Sequence, residues 1–288
     1  MVAWAWQAKK AMLGGMFLAA CVQLTSDANW AKNIATCSRL TAQAAARGAK
    51  LVVLPENFAF IGLREEDKLA IAEDIIPGVG LHGPIVQALI EMAVAGRVWL
   101  VAGGMPERSG EPGKVHNTCV VISPDGGVAA KYRKIHLFDV QIPGGAEFQE
   151  SRSVAPGSEP VVVETPHCRL GLSICYDVRF PELYRELGKM GAQVVVVPAA
   201  FTLHTGKDHW HVLLRARAIE NQTYVVAAAQ FGRPNDKRVC YGHSLIVDPW
   251  GTVLVDAQDR EGIVVAEIDL AYQEKVRREL PALLHRRR

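Results

Sequence analysis

Short apolar runs alternate with helical patterns along the whole chain. The runs FLAACVQL, KLVVLPE and QVVVVPAA predict strands, and the β-branched QVVVVPAA is typical of a strand with both faces covered. Stretches such as NWAKNIATCSRLTAQAAARGA carry apolar residues at intervals of three and four, which predicts helices. HNTCVVISPDGGVAAKYRK and GHSLIVDPWGTVLVDA predict hairpins around a proline-glycine turn. Such mixed alternation predicts sheets flanked by helices in a single α/β domain.

The first strand-like run allows a second interpretation. Two lysines and an apolar stretch precede Leu18-Ala19-Ala20-Cys21, which is also the pattern of a bacterial lipoprotein signal. Cleavage before Cys21 would cut the FLAACVQL strand in half, so we favour the strand. Outside this region, no segment reaches the ~18 apolar residues that a membrane helix needs. We therefore expect no membrane anchor.

Composition and charge exclude several classes of protein. The chain has 288 residues, of which 49% are apolar, so it can bury a sizeable core. With 32 basic against 30 acidic residues, the net charge of +2 gives no reason to expect a nucleic acid or an anionic membrane as partner. The cysteines are scattered without C-x-x-C spacing, which predicts reduced thiols in a cytoplasmic protein. They are Cys21, Cys37, Cys119, Cys168, Cys175 and Cys240.

Three predicted strand ends each deliver a side chain that could do chemistry. LVVLPE ends at Glu56, AAKYRK at Lys134 and RLGLSIC at Cys175. A thiol that attacks a carbonyl needs a proton acceptor and a group that stabilises the oxyanion, and a carboxylate and a lysine can fill those needs. Each residue taken singly also fits a structural role: a buried thiol, a helix cap or surface carboxylate, and a solvated ammonium.

Three segments resemble the signatures of the nitrilase superfamily of carbon–nitrogen hydrolases. They are GAKLVVLPENF, KYRKIHLFDV and GLSICYDVRFPELYR, in the order that the family has them. The resemblance implies a four-layer α-β-β-α sandwich over residues 16–288, with no metal and no cofactor. Residues 1–15 match nothing in the family, so we expect a dispensable N-terminal extension. A catalytically idle scaffold on this fold is an alternative that the intact Glu56, Lys134 and Cys175 argue against.

The resemblance also implies residue roles. Glu56 would be the general base, Lys134 would steady the tetrahedral intermediate, and Cys175 would be the nucleophile that forms an acyl-enzyme. Glu150, in GGAEFQES, matches a second active-site glutamate that would orient the lysine and the substrate. The backbone N–H of Tyr176, which follows the nucleophile, would donate to the oxyanion.

The branch of the family follows from two further stretches. Tyr176-Asp177 follows the cysteine, as in amidase-like members, whereas nitrile-hydrolysing members have Trp-Glu. AAAQFGRPNDKRVCYGHS resembles the branch that hydrolyses deaminated glutathione to 2-oxoglutarate and cysteinylglycine. The alternative is an ω-amidase, which cleaves 2-oxoglutaramate to 2-oxoglutarate and ammonia with the same triad, and the loop IPGGAEFQES resembles both groups.

A small anionic amide substrate predicts cations near the pocket. We expect Arg179, which follows the cysteine by four residues, and Arg233 to bind it, with Lys237 and Arg238 in the same loop as Arg233. Family members associate through the helices equivalent to ELYRELGKMGA and HWHVLLRARAIENQ, which implies a homodimer.

Three other patterns are expected to carry no ligand. The segment from Gly78 to Gly83 matches G-x-G-x-x-G, but no convincing strand precedes it and no acidic residue lies about 20 positions on, as a dinucleotide site requires. His204, His209 and His211 do not fit a common zinc spacing. Trp250 is interpreted as the anchor of its turn.

Overall fold

The computed structural model describes residues 15–78, 82–141 and 147–287. Strands and helices alternate through this part of the chain as the sequence predicts. In order they are β1 (Met16–Gln23), α1 (Trp30–Ala46), β2 (Ala49–Leu54), α2 (Pro84–Gly96), β3 (Trp99–Arg108), β4 (Val115–Ile122), β5 (Val128–Arg133), β6 (Asp139–Gln141), β7 (Glu147–Gln149), β8 (Val162–Glu164), β9 (Arg169–Leu172), α3 (Pro181–Lys189), β10 (Val194–Val196), α4 (Leu203–Asn221), β11 (Tyr224–Ala227), β12 (Phe231–Asn235), β13 (Arg238–Tyr241), β14 (Leu245–Val247), β15 (Val253–Asp256), β16 (Gly262–Asp269) and α5 (Leu270–Glu279). Short 3₁₀ helices lie at Glu65–Ile71, Glu150–Arg152 and Cys175–Arg179.

The strands form two six-stranded sheets of similar design. The first has the order β16-β1-β2-β3-β4-β5 and the second the order β15-β14-β11-β10-β9-β8. The inner strands β1, β2 and β3 run parallel, as do β9, β10 and β11, and the outer strands add antiparallel. Helices connect the parallel strands, as crossover connections require. The short ribbons β6–β7 and β12–β13 lie outside both sheets.

The apolar strands of the first sheet divide their side chains between two cores. In β1, Phe17, Ala19 and Cys21 pack in a cluster with residues of the second sheet, while Ala20 and Val22 pack with α1 and α2. Successive side chains of a strand point to opposite faces, so a continuous apolar run fits a strand that is covered on both sides. On the outer face of the second sheet, α3 and α4 pack in the same way. The four-layer α-β-β-α sandwich is therefore confirmed.

The N-terminal run is an inner strand of the first sheet. β1 contains Leu18 to Cys21 and pairs with β16 on one side and β2 on the other, so the strand interpretation is confirmed. Of the predicted extension 1–15, residues 1–14 lie outside the described part of the chain. No helix in the described ranges is long and apolar enough to cross a bilayer.

One turn differs in detail from its sequence interpretation. Between β14 and β15, the Asp248 Oδ1 atom accepts hydrogen bonds from the N–H groups of Trp250 and Thr252, each at 2.9 Å. The Trp250 side chain itself is exposed, so Asp248 closes the turn and Trp250 does not anchor it. A short carboxylate suits this position because it can bond its own main chain a few residues on.

The glycine-rich segment leads into α2, and a carboxylate of the chain already occupies the N-terminus of this helix. Glu73 accepts hydrogen bonds from the N–H groups of Ile85 at 2.7 Å and Val86 at 3.0 Å. A Cβ on Gly83 would lie 2.3 Å from the Glu73 carboxyl carbon, so only glycine fits there. Residues 79–81 lie outside the described part. The N–H groups that a phosphate would need are thus bonded within the protein.

Candidate active site

Three strand ends bring Glu56, Lys134 and Cys175 to one cavity. Glu56 follows β2, Lys134 follows β5 directly, and Cys175 follows β9. All three side chains line a cavity of about 40 Å³ at the ends of strands from both sheets. They are 3%, 2% and 7% exposed, respectively, so the charges are almost fully removed from water. The residues that the sequence singled out as a possible catalytic set therefore lie together.

Hydrogen bonds from three donors fix the Glu56 carboxylate. Its Oε1 atom accepts from Lys134 Nζ at 3.0 Å and from Asn117 Nδ2 at 2.9 Å, and its Oε2 atom accepts from the Ala200 N–H at 2.9 Å. Gly104, at φ +64, makes room for this carboxylate, because a Cβ there would lie 2.7 Å from Glu56 Cγ. The bonded carboxylate is oriented by groups from three separate strands and loops.

Lys134 lies between two carboxylates. Its Nζ atom lies 2.8 Å from Glu150 Oε2 and 3.0 Å from Glu56 Oε1. Burial alone would lower the pKa of Lys134, but Glu150 and Glu56 outweigh burial and raise it well above its ordinary value. Lys134 is therefore an ammonium at neutral pH.

Glu150 is held in the same network. Burial would raise its pKa, but Lys134, Lys68 and the bond from Asn117 lower the pKa of Glu150 to about 2. The Phe138 N–H donates to Glu150 Oε2 at 2.7 Å. The Asn117 amide bridges both carboxylates, since its Nδ2 atom also lies 3.0 Å from Glu150 Oε1. Sequence reasoning missed Asn117, which sits inside β4 with no motif to mark it.

Cys175 occupies a strained backbone position. Its φ of +49 is in the left-handed region, which residues with a Cβ rarely adopt. It opens the 3₁₀ helix Cys175–Arg179, and its N–H donates to the Pro198 carbonyl at 2.8 Å. The N–H of Tyr176 lies in the first turn of this helix, where main-chain donors have no partner within the helix.

The buried Asp177 holds this elbow in shape. It accepts hydrogen bonds from the Ile174 N–H at 2.8 Å, from the Tyr132 hydroxyl at 2.7 Å and from the His136 N–H at 3.1 Å. In the sequence, the pair Tyr176-Asp177 indicates the amidase-like branch. In the structure, Asp177 also fixes the turn that carries the thiol.

The environment of Cys175 keeps its thiol protonated at neutral pH. Burial is the largest effect and raises the pKa of Cys175, and the adjacent Glu56 carboxylate raises it further. Lys134 acts in the opposite direction without compensating. A thiol in this state needs a base at the moment it attacks, and the Glu56 carboxylate is the group beside it.

The predicted cationic residues lie in different places. Arg179 lines the cavity, with its guanidinium 5.2 Å from the centre of the Phe201 ring and 5.8 Å from that of Tyr176. Arg233 is exposed on β12 and is not among the cavity residues. Arg238, from the same loop, lines the cavity and stacks 5.4 Å from the centre of the Phe148 ring. Arg233 and Arg238 lie on the two different strands of the β12–β13 ribbon. The sequence alone did not reveal this geometry.

Two histidines of α4 contact different partners. His209 Nδ1 lies 3.3 Å from Arg179 Nη1, whereas His211 Nε2 bonds Asp256 Oδ2 at 2.8 Å. His243 Nδ1 also lies 3.0 Å from Asp256 Oδ1, and the ligating atoms of His211, His243 and Asp256 all fall within 4.8 Å of one another. These three residues could hold a metal ion, but none of them lines the cavity of Glu56, Lys134 and Cys175. Both histidines bond the Asp256 carboxylate, so the three residues form a hydrogen-bonded network.

Comparisons with known proteins agree with this architecture. The profile of the carbon–nitrogen hydrolase family matches residues 18–278. A deaminated glutathione amidase from Synechocystis sp. is 47% identical over 273 residues, which cover 94% of this chain and 98% of that protein. The crystal structure of the Caenorhabditis elegans NitFhit protein matches with a TM-score of 0.85 at 42% identity. The match covers 95% of this chain and 66% of the NitFhit chain. Saccharomyces cerevisiae Nit3, a member of branch 10 of the nitrilase superfamily, has a TM-score of 0.84 at 32% identity, over 94% of this chain and 96% of that chain. Because the matched region takes in both sheets and every strand end that faces the cavity, this chain belongs to the carbon–nitrogen hydrolase family.

Proposed function

We propose that this protein is a thiol-dependent amidase that hydrolyses deaminated glutathione to 2-oxoglutarate and cysteinylglycine. The observation that carries the proposal is the buried contact between an ammonium, two carboxylates and a thiol at one cavity. The similarity to the deaminated glutathione amidase of Synechocystis sp. supports the substrate.

In the proposed first half-reaction, the Glu56 carboxylate takes the thiol proton as Cys175 Sγ attacks the amide carbon. The carbonyl oxygen becomes an oxyanion, which the Lys134 ammonium and the Tyr176 N–H stabilise. The C–N bond then breaks, the amine leaves with the proton that Glu56 held, and the acyl group remains on sulfur as a thioester. The high pKa of Cys175 supports this coupling of proton removal to attack.

In the second half-reaction, Glu56 takes a proton from water, and the hydroxide oxygen attacks the thioester carbon. Collapse of the second tetrahedral intermediate returns the proton to sulfur and releases 2-oxoglutarate. Glu150 keeps Lys134 charged and in position throughout, since it bonds the ammonium through both of its oxygens. Arg179 binds the carboxylate of the acyl part, whereas the position of Arg233 outside the cavity gives it no such contact.

We further propose a cytoplasmic homodimer. All six cysteines are free and buried, which suits a reducing compartment. Large apolar side chains lie exposed on α4 and at the end of α3, and burying them would favour association. They are Met190, Leu203, Val212 and Ile219.

The test is release of 2-oxoglutarate from deaminated glutathione, with 2-oxoglutaramate assayed in parallel. Cys175→Ala should abolish turnover with both substrates. Cys168→Ala is the matched control, because Cys168 is also a buried thiol but does not line the cavity. A kcat/KM that favours 2-oxoglutaramate would support the ω-amidase alternative, and activity retained by Cys175→Ala would exclude the proposed nucleophile.

A further inference from the structure

A second cavity adjoins the catalytic one. It has a volume of about 310 Å³, within the range of small-molecule sites, and lies between the segment 60–68, β7 and the β12–β13 ribbon. Five residues line both this cavity and the catalytic cavity. They are Asn57, Glu65, Lys68, Phe148 and Arg238. We call this space the outer cavity and the shared residues the junction.

The junction carries a net positive charge. Glu65 is the one acidic residue of the set, and it lies between two cations: its Oε2 atom is 2.7 Å from Lys68 Nζ and its Oε1 atom is 3.5 Å from Arg238 Nη2. One carboxylate therefore faces two cations. The contact with Arg238 is longer than a good hydrogen bond, so that guanidinium keeps donors for a further anion.

The ribbon that carries Arg238 is fixed to the opposite wall. Asn235 Oδ1 accepts the N–H groups of Lys237 at 2.9 Å and Arg238 at 3.1 Å, and Asn235 Nδ2 donates to the Gly62 carbonyl at 2.9 Å. Phe148 from β7 supports the guanidinium plane. The cavity is thus formed before any ligand arrives, which reduces the entropy that binding must overcome.

The rest of the outer wall is also rich in cations. Arg152 and Lys237 line it, and neither has an acidic partner within the ranges that the structure describes. Arg64, Glu66 and Glu147 also line it, so this part of the wall has three cations and two carboxylates. An anionic group is favoured there over a neutral group of the same size.

We propose that the outer cavity is the leaving-group subsite and that it binds an amine portion ending in a carboxylate, with Arg238 as the principal cation. The inference rests on the proposed amidase function. An acyl group attached to Cys175 occupies the inner cavity, and the part of the substrate beyond the scissile nitrogen extends across the junction. A substrate that releases only ammonia leaves the outer cavity empty.

The test uses two substrates that differ by one charge: deaminated glutathione and the same compound with its terminal carboxylate converted to a carboxamide. The wild type should prefer the carboxylate by about 10- to 100-fold in kcat/KM, the effect of one charge-assisted contact. Arg238→Gln should bring that preference close to one, and Arg238→Lys should keep part of it.

Arg233→Gln is the matched control, since it makes the same charge change on the same ribbon but outside both cavities. It should keep the full preference. Turnover without a preference in the wild type, or a full preference in a folded Arg238→Gln variant, would overturn the subsite while leaving the amidase proposal intact. Absence of turnover with deaminated glutathione, its carboxamide and 2-oxoglutaramate alike would overturn both.

Discussion

Two groups at the cavity have proton affinities that neighbouring charges control. Lys134 keeps its proton because two carboxylates outweigh its burial, and Cys175 keeps its proton because burial and Glu56 act in the same direction. Glu56 contacts one group and lies beside the other, so a change at Glu56 should affect both. This makes the position informative at the scale of single residues.

Glu56→Gln should lower the pKa of Cys175 and abolish turnover at the same time. The substitution removes the negative charge that raises the pKa of the thiol but retains Lys134, which lowers it. The rate of iodoacetamide alkylation of the Cys175 peptide, followed by mass spectrometry from pH 6 to 11, should begin its rise at a lower pH in the variant. Cys168 is the internal control, because burial raises its pKa to about 12 and Glu56 is not among the groups that shift it. An onset that is unchanged or higher would contradict this account.

The residues that the sequence could identify are those in continuous motifs. Glu56, Lys134, Cys175 and Glu150 each stand in a recognisable segment, and the structure brings them together. Asn117 and Arg238 act through positions that depend on strand pairing: one bridges two carboxylates from β4, and the other reaches the cavity from the far strand of a ribbon. No local pattern encodes such positions.

At the scale of elements, the network of His211, His243 and Asp256 joins α4, the segment after β13 and the end of β15. Burial would raise the pKa of Asp256, but bonds from His211, Gln258 and His243 lower it to about 2. A carboxylate whose pKa is depressed on folding stabilises the fold above its unfolded pKa, and this contribution is lost as the pH falls through the folded pKa. The network should therefore stabilise the protein at neutral pH.

Asp256→Asn should lower the free energy of unfolding by about 1 kcal/mol near pH 6. The difference from the wild type should shrink as the pH falls from about 4 towards 2, because the wild-type carboxylate becomes protonated in that window. Urea unfolding at several pH values measures it. Asp259→Asn is the control, since Asp259 lies 3.5 Å from His243 Nε2 but is 79% exposed. An equal loss in both variants would show that the network contributes nothing specific.

Element boundaries were predictable where the apolar pattern was continuous, as in β1, β2 and β10. The pattern does not show which strands pair, because a strand with two apolar faces fits equally well at several inner positions. The pairing of β1 with β16, from Met16 opposite Asp269 to Gln23 opposite Gly262, joins the two ends of the domain. A local sequence pattern cannot show such a pairing, because the two strands are far apart in the chain.

At the scale of the whole molecule, the exposed Val212 and Ile219, seven residues apart and so on one face of α4, predict the mode of assembly. Val212→Asp should convert the proposed homodimer to a monomer, because it places a charge in the centre of an apolar contact. Val212 is 66% exposed in the single chain, and Val94 on α2 is 45% exposed on another face. Light scattering after size exclusion should show a monomer for Val212→Asp and a dimer for Val94→Asp. A wild type that is a monomer at working concentration would contradict the assembly.

Removal of residues 1–15 should leave fold and activity intact. The first strand of the described ranges, β1, starts at Met16 and pairs with both of its neighbours over its length. A chain that starts at Met16 should match the full chain in melting temperature and in kcat/KM. Loss of folded enzyme would contradict this prediction.

The left-handed backbone of Cys175 makes the residue that activity requires less favourable for stability than glycine would be. A residue with a Cβ costs roughly 1 kcal/mol or more in this conformation, and glycine does not. Cys175→Gly should therefore resist denaturant better than Cys175→Ala, although neither can form a thioester. A lineage selected for thermal endurance alone would drift towards glycine at this position. Persistence of the cysteine would then record selection for turnover, at the expense of a more durable protein.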